Sequence, residues 1–473
     1  MDFDQKASRP VIFYIGVSLE LYLQAMPPEV LEQWDEAFDL WQRELSEFAD
    51  VAFAKLCFTD DDVAGVVKEA EHRKPDAVVL SAVSYTPSSL ICPALEKLGI
   101  PVIIWNTQFA ERIMPDFSRN DLNLNHTVQG IQDITNILYR RKVRYSIVSG
   151  HWRDPRCREF LKRELNAVKA AGAAGNIHVL ELGGKFKGMG DFEYDPDMLE
   201  RVWGVKSSSI DPEKFIAESA AVAEDELETE IAADRDKFTI SDRLEHSVLS
   251  DAVRRKIVLR KMLKENNANA FTMNFSSLCH IKNFGQLPFY AINTLMSEGM
   301  GYAGEGDVMR AALMRQCYEL CGDANFTEIY TVDFPRNLML MSHMQECNIN
   351  IAGGKEKRKL FHKEFWMENI SGYPGMFFTS EPGDYTVVSI TPTPGENNMR
   401  LISFEGTVPE LPVLDKYDVP YWLLQPDTPV EKLLDRYSIA GGPHHLSAVP
   451  GRRSGDFARL AFWLGFEFAD LDR

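Results

Sequence analysis

The sequence lacks any apolar run long enough to span a membrane. It also lacks an excess of positive charge: 51 Lys plus Arg stand against 70 Asp plus Glu, which gives a net charge of −19. So acidic a surface disfavours nucleic acids and anionic membranes as partners, because both carry negative charge themselves. A local basic pocket for a small anion is still compatible with this composition.

Cysteines and targeting signals are scarce as well. The seven cysteines are an odd number, and no pair has the spacing of a zinc site. Met1 to Pro10 is polar and has no charged region followed by an apolar core, which predicts that there is no signal peptide. We therefore expect a protein of the reducing cytoplasm.

What is present indicates a multidomain α/β protein, since 473 residues with 45% apolar side chains exceed one ordinary core. In the first third, five strand-like runs alternate with helical segments: 11–16, 51–56, 77–80, 101–105 and 145–149. This alternation predicts a doubly wound parallel sheet, which binds ligands at the carboxyl ends of its strands. A second α/β domain follows, with a strand at 270–275, and short β-rich runs after Phe326 predict an antiparallel barrel or sandwich. The predicted domains are 1–173, 174–325 and 326–473.

The segment Gly299–Asp307 contains a formal G-x-G-x-x-G pattern. A dinucleotide-binding loop needs a strand immediately before this pattern, whereas residues 288–297 are predicted to be helical. We favour a tight turn that holds Glu305 between two glycines, because glycine permits close backbone approach. Asp307 would cap the helix that begins at Val308. A solvent-exposed acid is the simpler interpretation of Glu305.

Three other places carry similar chemistry. Glu328 lies in a strand-like run, His343 ends an apolar run, and His444 and His445 follow a Gly-Gly-Pro turn. Each residue alone is compatible with an ordinary solvated or hydrogen-bonded side chain. Together with Glu305 they form a set of carboxylates and imidazoles that suits a divalent metal such as Mn²⁺, although the sequence alone does not bring them together in space.

Several segments resemble the L-arabinose isomerase family in order and spacing. Gly301–Asp307, Ser342-His343-Met344 and Ala440–His445 resemble the metal-site motifs of that family. Further segments that resemble the family are Asn106–Phe109, Asn123-Leu124-Asn125 and Gly150–Asp154. The resemblance therefore extends from the first domain to the C-terminal part of the chain.

This resemblance implies two flavodoxin-like domains followed by a β-rich domain, in trimers that pair into hexamers. It implies a site for Mn²⁺, or another divalent metal, with the ligands Glu305, Glu328, His343 and His445. His444 would lie beside the sugar, and Phe275 would pack on it. The implied activity is that of an aldose–ketose isomerase acting on a free sugar.

The chemistry of such an isomerase suits these residues. An aldose and its ketose differ in the position of hydrogen at C1 and C2, and the C–H bond is only weakly acidic. A metal that holds two sugar oxygens would act as Lewis acid and template. Glu305 and Glu328 are the candidate pair that moves the carbon and hydroxyl protons; whether a proton or a hydride moves stays open.

The chain departs from the family at the sugar end that is remote from the metal. Where the family has Gly-Ser-Gln-His-Leu-Tyr-Gly, this sequence has Gly16-Val17-Ser18-Leu19-Glu20-Leu21-Tyr22. Tyr85 stands in place of a family phenylalanine and Gln129 in place of a histidine. The resemblance implies that Leu19, Tyr85 and Gln129 complete the active site of a neighbouring subunit. We therefore expect a sugar specificity that differs from that for L-arabinose.

Three basic residues raise the alternative of an anionic sugar such as sulfoquinovose or a sugar acid. Lys185 and Lys187 lie in a glycine-rich loop and Arg112 follows the segment Asn106–Phe109; solvated surface charges are the simpler interpretation. A non-catalytic sugar-binding protein of the periplasmic type is a further alternative, disfavoured by the missing signal peptide and by the two glutamates and two histidines. A catalytically inactive homologue is disfavoured because no metal ligand is missing.

Overall fold

The computed structural model of the protein describes residues 9–414 and 416–473. The segment Met1–Ser8, where the sequence predicts no signal peptide, lies outside the described residues. The chain divides into two compact units, one ending at Gly172 and the other extending from Ala173 to Arg473. Within the described ranges, no helix combines the length and apolarity needed to cross a membrane.

The first unit is built on a five-stranded parallel sheet. Its strands are β1 (Val11–Val17), β2 (Asp50–Cys57), β3 (Ala77–Ala82), β4 (Val102–Asn106) and β5 (Tyr145–Ser149). Their order is β2-β1-β3-β4-β5, the flavodoxin-like order. Helices cover both faces, so that all of β3 is buried and its sequence is a nearly continuous apolar run. The predicted doubly wound sheet is confirmed.

The helices of this unit follow the strands as expected for right-handed crossovers. They are α1 (Tyr22–Ala25), α2 (Pro28–Ser46), α3 (Asp60–Arg73), α4 (Ser88–Leu98), α5 (Arg119–Asn125), α6 (Val128–Arg140) and α7 (Pro155–Ala173).

The second unit begins with another parallel sheet. Its strands are β6 (His178–Leu182), β7 (Lys206–Ile210), β9 (Ala270–Met273) and β10 (Gly301–Gly304), in the order β10-β9-β6-β7. Read from the β7 edge, this order repeats that of β2-β1-β3-β4 in the first sheet. The strand predicted at 270–275 ends at Met273, and Phe275 begins a short helix instead.

The helices of this part include one before and one after the segment Gly299–Asp307, which itself contains β10. They are α8 (Pro196–Trp203), α9 (Pro212–Ala220), α10 (Glu224–Asp234), α11 (His246–Glu265), α12 (Phe275–Leu278), α13 (Phe289–Ser297) and α14 (Val308–Cys321). Because α13 precedes the glycine pattern, the structural context of a dinucleotide loop is absent from this described segment. Short 3₁₀ segments lie at Ala174–Asn176, Gly190–Phe192, Arg235–Lys237, Ile349–Ile351 and Lys355–Lys357.

The rest of the unit is a closed antiparallel barrel of six strands. These are β11 (Asn325–Asp333), β12 (Leu338–Ser342), β15 (Gly383–Pro392), β16 (Met399–Val408), β17 (Tyr421–Pro426) and β18 (His445–Pro450). The strand order is β15-β18-β11-β12-β17-β16, and the pairing of β15 with β16 closes the ring. The predicted barrel-like domain is confirmed.

Smaller elements complete the unit. The strand β8 (Thr239–Ile240) joins β13 (Lys359–Lys363) and β14 (Tyr373–Phe377) in a three-stranded sheet, and β19 (Glu467–Asp470) adds to β16 in parallel. The helices α15 (Val430–Ile439) and α16 (Ser454–Leu464) connect the last strands. What matters for the site is that β11 lies between β12 and β18.

Candidate active site

The register of β11 with its neighbours brings a carboxylate against two imidazoles. Glu328 is paired with His445 of β18 on one side and with Ser342 of β12, the residue before His343, on the other. Residues directly opposite one another in antiparallel strands have neighbouring side chains. The Oε1 atom of Glu328 accordingly lies 3.3 Å from Nε2 of His445 and 3.8 Å from Nε2 of His343.

The turn between β10 and α14 supplies Glu305. Its φ of +63° lies in the left-handed region, which is costly for a residue other than glycine and is found at functional sites. A Cβ atom on Gly306 would lie 2.3 Å from the carbonyl oxygen of Gly184, and one on Gly304 would lie 3.1 Å from Cε1 of His343. The predicted close approach at both glycines is confirmed.

The Gly-Gly-Pro turn that precedes the two histidines packs on Tyr437. A Cβ atom on Gly442 would lie 2.2 Å from the Tyr437 ring, and Gly441 has a φ of +81°. The Tyr437 hydroxyl donates a hydrogen bond of 2.6 Å to the carbonyl oxygen of Pro443. Close packing thus favours glycine at position 442 and backbone conformation favours it at position 441, and the turn places His444 and His445 at the start of β18.

Five predicted site residues therefore come together. They are Glu305, Glu328, His343, His444 and His445. Nε2 of His444 lies 3.6 Å from Oε1 of Glu328 and 3.9 Å from Oε2 of Glu305. Two overlapping groups of three, Glu305/His444/His445 and Glu328/His343/His445, have ligand atoms within 4.8 Å of one another. Atoms bound to one cation at about 2.0–2.2 Å have comparable mutual separations.

Each of the three histidines also meets a carboxylate at its other ring nitrogen. The pairs are His343 with Glu346, His444 with Asp191, and His445 with Asp307. The Nδ1–Oδ2 distance is 2.7 Å for the His444 pair and 3.0 Å for the His445 pair. An imidazole that donates from Nδ1 keeps an acceptor lone pair on Nε2, which is how metal-binding histidines are usually oriented.

Whether a cation fits can be judged from His445. This residue is fully buried, and its Nε2 atom has no hydrogen-bond partner among the described residues. Its ring is fixed by stacking on Phe192, with ring centroids 4.7 Å apart, and by edge contact with Phe326 at 4.8 Å. A buried, unpaired acceptor costs free energy unless a ligand satisfies it. The donor set of nitrogen and carboxylate oxygen therefore fits a divalent cation.

The carboxylates make the site strongly attractive to positive charge. Burial lowers the pKa of His343, but Glu346, Glu328 and Glu305 outweigh it and raise this pKa to about 9. Burial likewise lowers the pKa of His444, but Asp191 and Glu305 raise it to about 10.

The same interactions lower the pKa of the carboxylate Glu328. Burial raises the pKa of Glu328, and the three surrounding imidazoles more than offset this, so that its pKa is lowered. The field that draws protons onto these nitrogens would draw a metal ion as well, and the two compete for the same lone pairs.

Asp307 has two roles, of which the sequence indicated one. Its side chain accepts a hydrogen bond from the backbone N–H of Arg310, so the predicted helix cap is confirmed. Its second oxygen accepts a hydrogen bond from His445, as described above.

Neither Asp191 nor Glu346 was indicated as a site residue by the sequence. Glu346 follows His343 by three residues, a spacing that could have suggested the contact, whereas Asp191 is separated from His444 by 253 positions.

The predicted substrate residues Lys185, Lys187 and Phe275 lie in or beside the loop whose residue Phe186 contacts Glu305. The Phe275 ring lies 5.8 Å from the Phe186 ring, and the backbone N–H of Phe186 donates to the carbonyl oxygen of Glu305 at 2.9 Å. The ammonium group of Lys185 lies 3.7 Å from the centroid of the Tyr194 ring, and Lys187 is exposed. Phe186 is thus the loop residue that is fixed directly at the site.

The other predicted substrate residues lie in the first unit. Leu19 and Tyr85 are joined by a backbone hydrogen bond of 3.0 Å at the carboxyl ends of β1 and β3. Gln129 is exposed on α6, and Gly130 of that helix packs against Thr86. Arg112 is exposed in the loop after β4.

A cavity of about 240 Å³ opens at the carboxyl ends of β4 and β5 in the first unit. Its lining includes Asn106, Gln108 and His151, which belong to two of the segments that resemble the isomerase family. The cavity occupies the edge at which sheets of this type bind ligands.

Comparison with known families covers almost the whole chain. Residues 6–176 match the L-arabinose isomerase N-terminal domain, residues 197–322 its central domain and residues 323–467 its C-terminal domain. The chain belongs to the L-arabinose isomerase family. It is therefore an enzyme of the aldose–ketose isomerase class, and this prediction is confirmed.

Relatives within the family are distant in sequence but similar in length. The L-arabinose isomerase of Serratia proteamaculans (strain 568) is 26% identical over 452 residues, which are 92% of this chain and 89% of that one. The L-arabinose isomerase of Yersinia pestis bv. Antiqua (strain Nepal516) is 25% identical over 475 residues, covering 98% and 94%.

One solved structure with partial similarity is an ABC transporter solute-binding protein from Burkholderia multivorans. It is 13% identical and covers 66% of this chain and 93% of that one, with a TM-score of 0.18. At that score the similarity has no bearing on fold or function.

Proposed function

We propose that this member of the L-arabinose isomerase family is a metal-dependent isomerase of a free sugar, that Mn²⁺ is its cofactor, and that its preferred sugar is not L-arabinose. The observation that carries this proposal is the convergence of three Nε2 atoms on the carboxylates of Glu328 and Glu305. In each of the three rings the other nitrogen, Nδ1, lies against a carboxylate.

In this proposal Glu305, Glu328, His343 and His445 hold the cation. Its contribution would be Lewis acidity toward two sugar oxygens and their orientation. The rest of the chemistry belongs to side chains of the protein. His444 is half-exposed and lies beside both glutamates, so it is suited to contact a sugar oxygen.

The two glutamates have different surroundings, which suggests a division of labour. Three imidazoles face Glu328 and lower its pKa, and a carboxylate of lowered pKa is a weaker base. Glu305 lies 3.9 Å from Nε2 of His444 and within 4.8 Å of a ring nitrogen of His445, so two imidazoles are grouped with it. We assign Glu305 to the proton on carbon and Glu328 to the hydroxyl proton.

Three aromatic residues cluster at the loop whose backbone contacts Glu305. Phe186 and Phe275 are in contact, and Phe275 lies 6.4 Å from Phe365. An apolar cluster of this kind suits the C–H face of a sugar ring or chain. Its position supports the assignment of Phe275 as a substrate contact.

The active species is proposed to be a homo-oligomer, a trimer or hexamer, in the cytoplasm. Leu19, Tyr85 and Gln129 of one subunit would contact the sugar bound by the next. Mixing a Tyr85→Ala variant with a Glu305→Gln variant tests this point: subunit exchange should restore part of the activity that each lacks. No recovery after exchange would contradict shared sites.

A neutral sugar is favoured over an anionic one. The ammonium group of Lys185 contacts the Tyr194 ring, and both Lys185 and Lys187 are exposed, as ordinary surface charges are. If an anionic sugar such as sulfoquinovose is the substrate, Lys187→Met or Arg112→Met should raise its KM about 10- to 150-fold, because charge-assisted hydrogen bonds are lost. A neutral substrate should show less than about a twofold change, the size expected for surface charges.

The decisive experiment is an NMR screen of the Mn²⁺-loaded protein against neutral and 6-anionic aldoses. We expect one aldose to yield its ketose, with activity lost on chelation and restored by Mn²⁺. Equal turnover by chelated and metal-loaded protein would overturn metal dependence, and L-arabinose as the best substrate would overturn the change in specificity.

A further inference from the structure

The short segment Gly190–Phe192 contacts both active-site histidines. Asp191 Oδ2 accepts hydrogen bonds from His444 twice, from Nδ1 at 2.7 Å and from the backbone N–H at 3.2 Å. The next residue, Phe192, places its ring 4.9 Å from that of His444 and 4.7 Å from that of His445. A two-residue stretch far away in sequence thus fixes the conformation of the histidine pair.

Arg310 fixes this stretch in turn. Its side chain is fully buried, and Nη1 donates to the carbonyl oxygen of Asp191 at 2.8 Å and to Oδ1 of Asp307 at 3.3 Å. Asp307 holds His445. The contacts therefore form a continuous chain: His444, Asp191, Arg310, Asp307, His445.

The two ends of this chain differ in one respect. His445 is fully buried between two strands of the barrel and is held by Phe192 and Phe326 as well as by Asp307. The His444 side chain is 37% exposed; its ring contacts those of Phe192 and His445, and Asp191 accepts the hydrogen bond from its Nδ1. Without this hydrogen bond, ring contacts alone would hold the rotamer of an imidazole that is open to solvent on one side.

We propose that Asp191 is a positioning residue that holds the ring of His444 with Nε2 turned toward Glu305 and Glu328, where the sugar binds. Asp191 does not touch the sugar; it acts through His444. The proposal rests on the proposed function, because it requires that His444 contacts the sugar.

The first test is a double-mutant cycle on kcat/KM with Asp191→Ala and His444→Asn. We expect Asp191→Ala alone to lower kcat/KM about 10- to 100-fold, by analogy with the carboxylates that orient metal-binding histidines. In the His444→Asn background the same change should cost less than about twofold, because residues that act as a unit are not additive. A purely structural role would give similar losses in both backgrounds, and that result would overturn the proposal.

Two variants of the same segment sharpen the test. Asp191→Asn keeps an oxygen that can accept from Nδ1 and should recover most of the loss, mainly in KM. Glu193→Gln removes one negative charge from an exposed neighbour that has no contact with His444 and should leave kcat/KM within about twofold. A loss equal to that of Asp191→Ala in Glu193→Gln would mean that only loop charge matters, and would overturn the proposal.

A readout without turnover separates this proposal from the proposed function. In a crystal structure of Asp191→Ala we expect the His444 ring to rotate so that Nε2 leaves Glu328, while Mn²⁺ affinity stays within about threefold of wild type. An unchanged ring would overturn the positioning role even if the enzyme is active. A rotated ring in a protein that isomerises no aldose would instead refute the proposed function and leave the role of Asp191 toward His444 intact.

Discussion

Glu328 and His445 face each other across β11 and β18, with Oε1 and Nε2 only 3.3 Å apart. This arrangement does not stabilise the barrel. Burial of the unpaired Nε2 acceptor of His445 and desolvation of the Glu328 carboxylate both cost free energy of folding. In the proposed function, both groups would bind the same cation. The neighbouring residue His444 lies within 4 Å of both Glu328 and Glu305 and thereby links the barrel to the turn that carries Glu305.

Metal binding should raise the thermal stability of the protein. At a free Mn²⁺ concentration of a hundred times Kd, a ligand that binds only the folded state stabilises it by about 2.7 kcal/mol. We expect a clear rise in Tm on adding Mn²⁺ to chelator-treated protein, measured by scanning calorimetry. His445→Gln should abolish the rise.

The matched control is His72→Gln, since His72 is exposed on α3 and bonds only to a carbonyl of its own helix among the described contacts. This variant should respond to Mn²⁺ like the wild type. A full response in His445→Gln would show that the metal binds elsewhere.

Glu305→Gln and Glu328→Gln should each lower turnover by about 10²- to 10⁴-fold, because an amide keeps the shape of the carboxylate but cannot accept the proton. Steady-state kinetics on the best aldose, with metal content measured on the same samples, separates loss of the base from loss of the metal. Glu381→Gln, an exposed carboxylate paired with Lys357, serves as the control and should keep wild-type turnover. Near-normal rates in both site variants would place the bases elsewhere.

Gly306→Ala should destabilise the protein more than its backbone conformation alone requires. A left-handed φ costs an alanine about 1–2 kcal/mol, and the close contact with Gly184 adds roughly 1–3 kcal/mol of overpacking. Gly322→Ala isolates the first contribution, because Gly322 has a φ of +83° and nothing within 4 Å of its Cβ position. We expect Tm to fall in both variants and further in Gly306→Ala. Equal decreases in Tm would mean that the loop at Gly184 moves away from the added methyl group without a cost in stability.

A buried charge network should account for stability far from the site. Lys256 has no exposed side chain and contacts Asp234, Glu230 and Glu298. Asp234→Asn removes one partner of a buried pair, which costs about 3–5 kcal/mol. Glu228→Gln, on the same helix but in an exposed pair with His246, should cost less than about 1 kcal/mol. Urea unfolding measures both, and equal costs would refute the network.

The same network has a pH dependence of known sign. Burial raises the pKa of Asp234, but Lys256 and Lys237 more than offset it, so the folded-state pKa is lowered. Its contribution is therefore present above the unfolded pKa of about 3.9 and is lost as pH falls through the folded value. The difference between wild type and Asp234→Asn should narrow below about pH 4.

The sequence predicted those parts of the fold that have a strong hydrophobic pattern. The central strands of the first sheet, β1, β3 and β4, were found because they are buried on both faces and therefore consist of apolar runs. The strand β7 was missed, since Lys-Ser-Ser-Ser-Ile at a sheet edge carries no apolar run. A hydrophobic pattern indicates which residues are buried, and the edge strand β7 has few buried residues.

The site was predictable to the extent that its chemistry lies in motifs. Glu305, His343 and His445 stand in short, unusual segments, and the structure brings them together. Asp191 could not be found, because a single aspartate in a glycine-rich loop acquires its role only from a contact 253 positions away. The conformation of the Lys185 side chain was equally hidden, since it depends on the ring of Tyr194.

The placement of β18 between β15 and β11 has a consequence during synthesis of the chain. A nascent polypeptide exposes Glu305, Glu328 and His343 well before β18 has been translated. Until β18 inserts and closes the ring of strands, His445 is missing and Glu328 has an open flank. The complete set of proposed metal ligands thus exists only after the barrel has closed, so that metal binding, as proposed, would require a finished fold.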